Sequence, residues 1–340
     1  MGAIRRSPLA RLAFLGTPSE AAACLRRLAE AGHEIAIVVT RPDARAGRGS
    51  RMLPSPVRQA ARELDLMVSE RAADVTTAGA EIGVVVAYGR MIPASVLQQL
   101  PMVNVHFSLL PRWRGAAPVE WAILAGDAET GVSLMAVDEG LDTGDVYDMR
   151  RIAIAQDDTA STLRSKLTDL GIEMLLERLE DGAASLGAAV PQAGEATYAR
   201  KIVPDMLELD WSRGAEELER VVRVGGAWTL FRGQRLKVSE VKVWPTAKAL
   251  SALPGDRGVA AQISENAPGP EGVAGHGSVA GPGSVVLGDR GGAVLAACGK
   301  DFLELARVQM EGRKPVTGVQ WWMGARPRLG DVLGLPCSRR

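Results

Sequence analysis

Unbroken apolar runs alternate with helical-period stretches along the first half of the chain. Residues 11–16 (RLAFLG) read as a short buried strand. Thr17-Pro18-Ser19-Glu20 reads as a helix start with Thr17 or Ser19 as N-cap. The following AAACLRRLAEAG puts Cys24, Leu25 and Leu28 on one face and Gly32 at the stop, and HEIAIVVT is a second strand. Strand, helix and strand in so short a span predict a βαβ unit and hence a parallel sheet. Residues 82–87 (IGVVVA) and 103–107 (VNVHF) add two strands whose apolar character suits burial on both faces. Beyond residue 130 the pattern predicts strands at 131–137 and 146–154 around the loop 138–145 (DEGLDTGD), then a helix over 158–181.

Residues 182–204 are small and polar, and the domain boundary falls in a linker at 191–204. After it come a helix at 215–224 and several short strands with turn signals, the pattern of a small barrel. The Gly-, Pro- and Ser-rich stretch 250–284 reads as a flexible insertion, and residues 1–10 as a loose extension. The expected fold class is therefore α/β: a Rossmann-like open, mostly parallel sheet domain over 1–190, then a smaller β-barrel domain over 205–340. The first loop has only Gly16 where a dinucleotide fingerprint needs three glycines, which disfavours a nicotinamide enzyme.

A net charge of zero with 46% hydrophobic residues excludes wholesale disorder. No apolar run reaches the ~20 residues of a membrane helix, so no membrane partner is expected. Cys24, Cys298 and Cys337 are scattered, which predicts neither a disulfide framework nor a zinc site and suits a reducing cytoplasm. The first 200 residues carry 21 Lys+Arg and 25 Asp+Glu, the rest 19 and 15, a split compatible with a mildly cationic second domain that meets a polyanion.

Chemistry concentrates around one of the three histidines. Asn104 and His106 stand two apart on a strand, so their side chains share a face near the strand's carboxyl end, where open α/β sheets hold ligands. The irregular segment 108–118 (SLLPRWRGAAP) has the marks of a binding loop. Asp142 lies in LDTGD, where Gly144 permits a tight turn. The loop 41–58 holds Arg41, Arg45, Arg48, Arg51 and Arg58 against a single acid, Asp43, which suits phosphate contact; for Arg58 a purely structural role is preferred.

Together, Asn104-x-His106, SLLPRWRGAAP at 108–118, LDTGD at 141–145 and VVVAYG at 84–89 resemble the formyltransferase family that uses 10-formyltetrahydrofolate. RPDARAGRGSRMLPSPV at 41–57 is similar to the loop of the branch whose acceptor is initiator methionyl-tRNA. The resemblance covers nearly all of residues 11–335. It implies an enzyme that moves formyl from 10-formyltetrahydrofolate to the methionyl amine and releases tetrahydrofolate, with Asn104, His106 and Asp142 as the catalytic set and no metal. It places Ser108, Leu109, Leu110, Pro111, Val86, Ala87 and Tyr88 at the folate. It places Arg48, with Arg45, Arg41 and Arg51, on the tRNA side, joined by Arg313 and Lys314 of an OB-like second domain. A cytoplasmic monomer is expected. Against the family pattern the stretch 68–82 is short, which predicts a trimmed helix beside the sheet. The alternatives are a sugar-nucleotide N-formyltransferase, a formyltetrahydrofolate hydrolase and a non-catalytic RNA-binding module; the loop at 41–57 argues against the first two, and the intact Asn104, His106 and Asp142 against the third.

Overall fold

The structure, a computed structural model, describes residues 10–46, 51–251, 281–287, 292–327 and 331–334. The chain divides into two compact units. The first is built from residues up to 201, except 123–126 and 157–160, which belong with the second.

Through the first unit the chain runs β1 (Arg11–Gly16), α1 (Ser19–Glu30), β2 (Glu34–Val39), β3 (Ala44–Ala46), β4 (Arg51–Leu53), α2 (Pro56–Glu63), β5 (Val68–Ser69) and β6 (Ile82–Val86). It continues with α3 (Ala94–Leu97), β7 (Met102–His106), β8 (Arg114–Gly115), α4 (Pro118–Ala125), β9 (Glu129–Ala136), β10 (Val146–Ala153), α5 (Ala160–Arg178) and β11 (Tyr198–Ala199). Seven strands form one sheet in the order β10-β9-β7-β6-β1-β2-β5. Neighbours from β5 to β7 pair in parallel, whereas β9 is antiparallel to β7 and β10 to β9. This is the open, mostly parallel sheet that the apolar runs predict. The chain fills the sheet from β1 towards β5 and then restarts beside β1 with β6. The order therefore reverses between β1 and β6, and the crevice beyond those strand ends is where such sheets take ligands.

Alternation explains what each strand buries. Ala13 and Leu15 of β1, Ile37 and Val39 of β2 and Val85 of β6 share one apolar cluster with Val75, Val96 and Leu100. Val75 lies on a 3-10 helix, Ala72–Thr77, which occupies the stretch expected to hold a trimmed helix.

Three local expectations change. Helix α1 has Pro18 as its N-cap and no side-chain cap; Thr17 Oγ1 instead donates to the Tyr88 carbonyl at 3.2 Å, and Ser19 Oγ to Glu20. The expected loop 41–58 contains the hairpin β3–β4 and the start of α2, which Ser55 caps by accepting from Arg58 N, with Pro56 in the first turn. A Ser-Pro pair at a helix start is the signal that reveals it. The expected linker contains β11, which pairs in parallel with β8 through Tyr198 with Arg114 and Ala199 with Gly115, so residues up to 201 belong with the first unit.

His33, just before β2, is 5% exposed, and its Nδ1 is buried without a partner. Burial lowers its pKa below the ordinary 6.5. As pH falls through that value the unfolded chain takes up a proton that the folded chain resists, so folding stability drops on acidification. Denaturant unfolding at about pH 7.5 and about pH 5.5 is expected to show a larger loss for wild type than for His33→Gln. Equal losses would show that this imidazole does not set the slope.

The second unit runs α6 (Ala215–Val224), β12 (Trp228–Phe231), β13 (Gln234–Trp244), α7 (Thr246–Ser251), β14 (Val285–Leu287), β15 (Val294–Ala297), β16 (Phe302–Met310), β17 (Val316–Thr317) and α8 (Gly318–Ala325). Its sheet, β12-β13-β16-β15-β14 with β17 on β16, is antiparallel throughout. Leu236 and Val238 of β13, Leu303 and Leu305 of β16, Leu218 and Val222 of α6 and Trp321 of α8 share its core. Within the expected insertion 250–284, residues 252–280 lie outside the described residues, as do 1–9 of the expected extension; Ser284 forms a bridge with Val332.

Candidate active site

A cleft of about 1040 Å³ opens in the first unit beyond the carboxyl ends of β1, β6 and β7. Pro18 reaches it from the turn after β1, residues 87–92 from the turn after β6, and His106 from the end of β7. Val85, Asn104 and Met135 are paired across β6, β7 and β9 and form one row of its wall. Asp138, Leu141 and Asp142 also line it. Asn104, His106 and Asp142, from distant stretches of sequence, thus border one hollow.

His106 is 6% exposed, and its Nε2 lies 3.0 Å from the Trp113 carbonyl oxygen. A carbonyl only accepts, so this contact assigns the ring proton to Nε2. In the neutral ring Nδ1 then carries the lone pair. It sits 3.7 Å from Asp142 Oδ2, too far for a hydrogen bond but close enough to pair with an imidazolium.

Asp142 is held at both ends. Its Oδ2 accepts the Gly115 N–H at 2.7 Å, and its backbone adopts φ 53°. Aspartate is one of the few non-glycine residues that tolerate this region. The loop around it closes on Asp138, whose carboxylate accepts from Gly140 N at 3.0 Å and Thr143 Oγ1 at 2.8 Å. A Cβ on Gly144 would collide with the Ala136 carbonyl, which is why the turn needs glycine there. Gly115 is equally constrained: φ is +118°, and an added Cβ would meet Ala199 O at 2.8 Å.

The other candidate residues divide. Ala87 and Tyr88 line the cleft, but Val86 is 2% exposed and it is Val85 that faces the hollow. None of Ser108, Leu109, Leu110 and Pro111 is among the residues lining it. Ser108 is fully buried, with its Oγ donating to Arg112 O at 2.5 Å and its carbonyl accepting from Ser133 Oγ. Leu110 N donates to the same Ser133 hydroxyl. These residues build the turn that presents the Trp113 carbonyl to His106. Arg41 lines the mouth, where its Nη2 donates to Gly89 O at 2.7 Å. Arg45 and Arg51 lie on β3 and β4, and Arg48 lies outside the described residues. Arg58 is an ion-pair partner of Asp43 and Glu70, in keeping with a structural role. Arg313 and Lys314 are exposed in the second unit, on the turn between β16 and β17.

Sequence reasoning passed over several cleft residues. Tyr198 and Arg200 line it from the stretch read as a linker. Arg164 of α5 joins it by pairing with Glu20 and Glu120, which also line the wall. The Thr197-Tyr198-Ala199 edge follows β8 residue by residue, with Arg114 N donating to Thr197 O and Ala116 N to Ala199 O. A two-residue strand carries no hydrophobic period, so only the glycine at 115 hinted at the close approach.

A family model described as formyl transferase matches residues 10–179, and one for the formyl transferase C-terminal domain matches residues 201–326. The chain belongs to the formyl transferase family. Among similar proteins, the methionyl-tRNA formyltransferase of Dechloromonas aromatica is 37% identical over 340 residues, covering 96% of this chain and 99% of the relative. That of Chromobacterium violaceum is 41% identical over 341 residues, covering 96% and 100%. A solved structure of HypX from Aquifex aeolicus in complex with tetrahydrofolic acid shares the fold, with a TM-score of 0.57 at 17% identity over 92% of this chain and 46% of that one. In this formyl transferase, Asn104, His106 and Asp142 all fall inside the N-terminal match.

Proposed function

We propose that this chain transfers the formyl group of 10-formyltetrahydrofolate to the methionyl amine of initiator methionyl-tRNA. The observation that carries this reading is the meeting of Asn104, His106 and Asp142 at one cleft in a chain of this family. The amine nitrogen attacks the formyl carbon, a C–N bond forms, and the carbonyl electron pair moves onto oxygen. Collapse of that tetrahedral species breaks the bond to the folate nitrogen, which leaves with a proton.

Each side chain has a part that its geometry supports. The Asn104 amide donates to the developing oxyanion. His106 has Nε2–H committed to Trp113 O, so Nδ1 is the atom that takes the proton from the attacking amine and returns it to the leaving nitrogen. Asp142 acts as orienter and counter-charge for that imidazolium, since its Oδ2 is already engaged by Gly115 N.

Ala87 and Tyr88 support a folate position beside the turn after β6. Arg41 at the mouth, the hairpin β3–β4 with Arg45 and Arg51, and the exposed Arg313-Lys314 turn supply cations for RNA phosphates. Among the described residues no helix is long and apolar enough to cross a membrane. The working form in this reading is a cytoplasmic monomer.

The test supplies formyl-labelled donor with either methionyl-tRNA or an amino-sugar nucleotide. Label is expected on the methionyl amine, with release of tetrahydrofolate. Label on the sugar alone would overturn the acceptor assignment.

A further inference from the structure

Outside the three side chains of the proposed mechanism, one amide ties the loop that carries Asp142 to β8. Gln192 lies in the stretch read from sequence as a linker and is not among the residues lining the cleft. Its Oε1 accepts from Arg114 Nε at 3.1 Å and from Arg114 Nη2 at 2.7 Å. Its Nε2 donates to the carbonyls of Asp142 at 2.9 Å and Gly144 at 2.8 Å. Arginine only donates and carbonyls only accept, so a single orientation of the amide satisfies all four contacts.

Arg114 is followed by Gly115, whose N–H engages the Asp142 carboxylate. Gln192 therefore fastens the main chain of residues 142–144 to the same two-residue strand that fastens the Asp142 side chain. Elsewhere in the loop Gly140 N and Thr143 Oγ1 donate to Asp138, and Leu141 is 54% exposed. Asp142 keeps a left-handed backbone, a conformation that persists where surrounding contacts over-determine it.

We propose that Gln192 is a positioning residue for the formyl transfer: its amide fixes the Asp142 loop, and with it the carboxylate facing His106 Nδ1. The inference rests on the transfer mechanism above for its kinetic consequences but not for its structural ones.

Amide hydrogen exchange over residues 139–145 reads the structural part without activity. Gln192→Leu is expected to speed exchange there about tenfold, as lost hydrogen bonds of ordinary strength allow, while β1 and β6 keep wild-type rates. Unchanged exchange in that loop overturns the proposal. In the transfer assay Gln192→Leu should lower kcat roughly a hundredfold, with KM for donor and acceptor within about threefold. Gln192→Glu keeps an oxygen for Arg114 but loses the two donors, so it should behave like the leucine variant; wild-type turnover would overturn the role of those donors. Because Gln192 acts through Asp142, adding Gln192→Leu to Asp142→Ala should cost less than about twofold. The same factor as in the wild-type background would show a merely structural part. A wild type inert towards methionyl-tRNA would defeat the functional reading and leave the exchange result standing.

Discussion

Asn104→Ala is expected to lower kcat by about 10²–10³-fold while leaving tRNA affinity within about twofold. The residue sits in the middle of the Val85–Asn104–Met135 row, on strands packed on both sides, so its amide is held by the sheet rather than by a loop. A donor held this way is oriented before the reaction begins, which is what makes it worth more than a donor in water. Neutral His106 cannot substitute, because its one N–H is spent on Trp113 O. Single-turnover transfer with saturating donor separates this loss from binding, and filter binding of methionyl-tRNA reports affinity. A fall of less than about fivefold in kcat would remove Asn104 from the oxyanion role.

Gly115→Ala has the second large effect, and it combines stability with turnover. The position has φ +118°, and the new methyl group would stand 2.8 Å from Ala199 O. Backbone held in such a region costs of order 1–3 kcal/mol, and here relief of the clash must also push apart β8 and β11. That displacement moves the N–H that holds Asp142 Oδ2, so kcat should fall by at least about tenfold as well. Gly312→Ala serves as a control. Its φ is +72° with nothing within 4 Å of the added carbon, so it should cost about 1–2 kcal/mol and leave turnover unchanged. Urea denaturation and the transfer assay on both variants check the pair; equal losses in both would detach Gly115 from the site.

The parallel core was legible because strands buried on both faces leave long apolar runs, as in Val84–Val85–Val86, and because Gly32 punctuates the first crossover. The Asn104 and His106 pairing was legible from period-two geometry alone. Asp142 could be singled out only through its turn, since nothing local tells a turn aspartate from one at a cleft. The segment from 192 to 201 was illegible for a different reason. Its contacts are main-chain pairing to β8 and an amide clamp, and neither needs apolar residues or a fixed spacing in its own segment. Placing Ser108–Pro111 at the folate followed from their motif. Ser108 and Leu110 are buried and share Ser133 as a partner, which fixes the turn before Trp113.

The partner that selects the His106 tautomer is a main-chain oxygen, the carbonyl of Trp113. Any residue that tolerates the φ of 60° at that position supplies the same acceptor, so which ring nitrogen carries the proton does not depend on the indole itself. Within that backbone limit, substitution at 113 alters the indole and its contact with Asp127 without rewriting the proton inventory of the neighbouring imidazole.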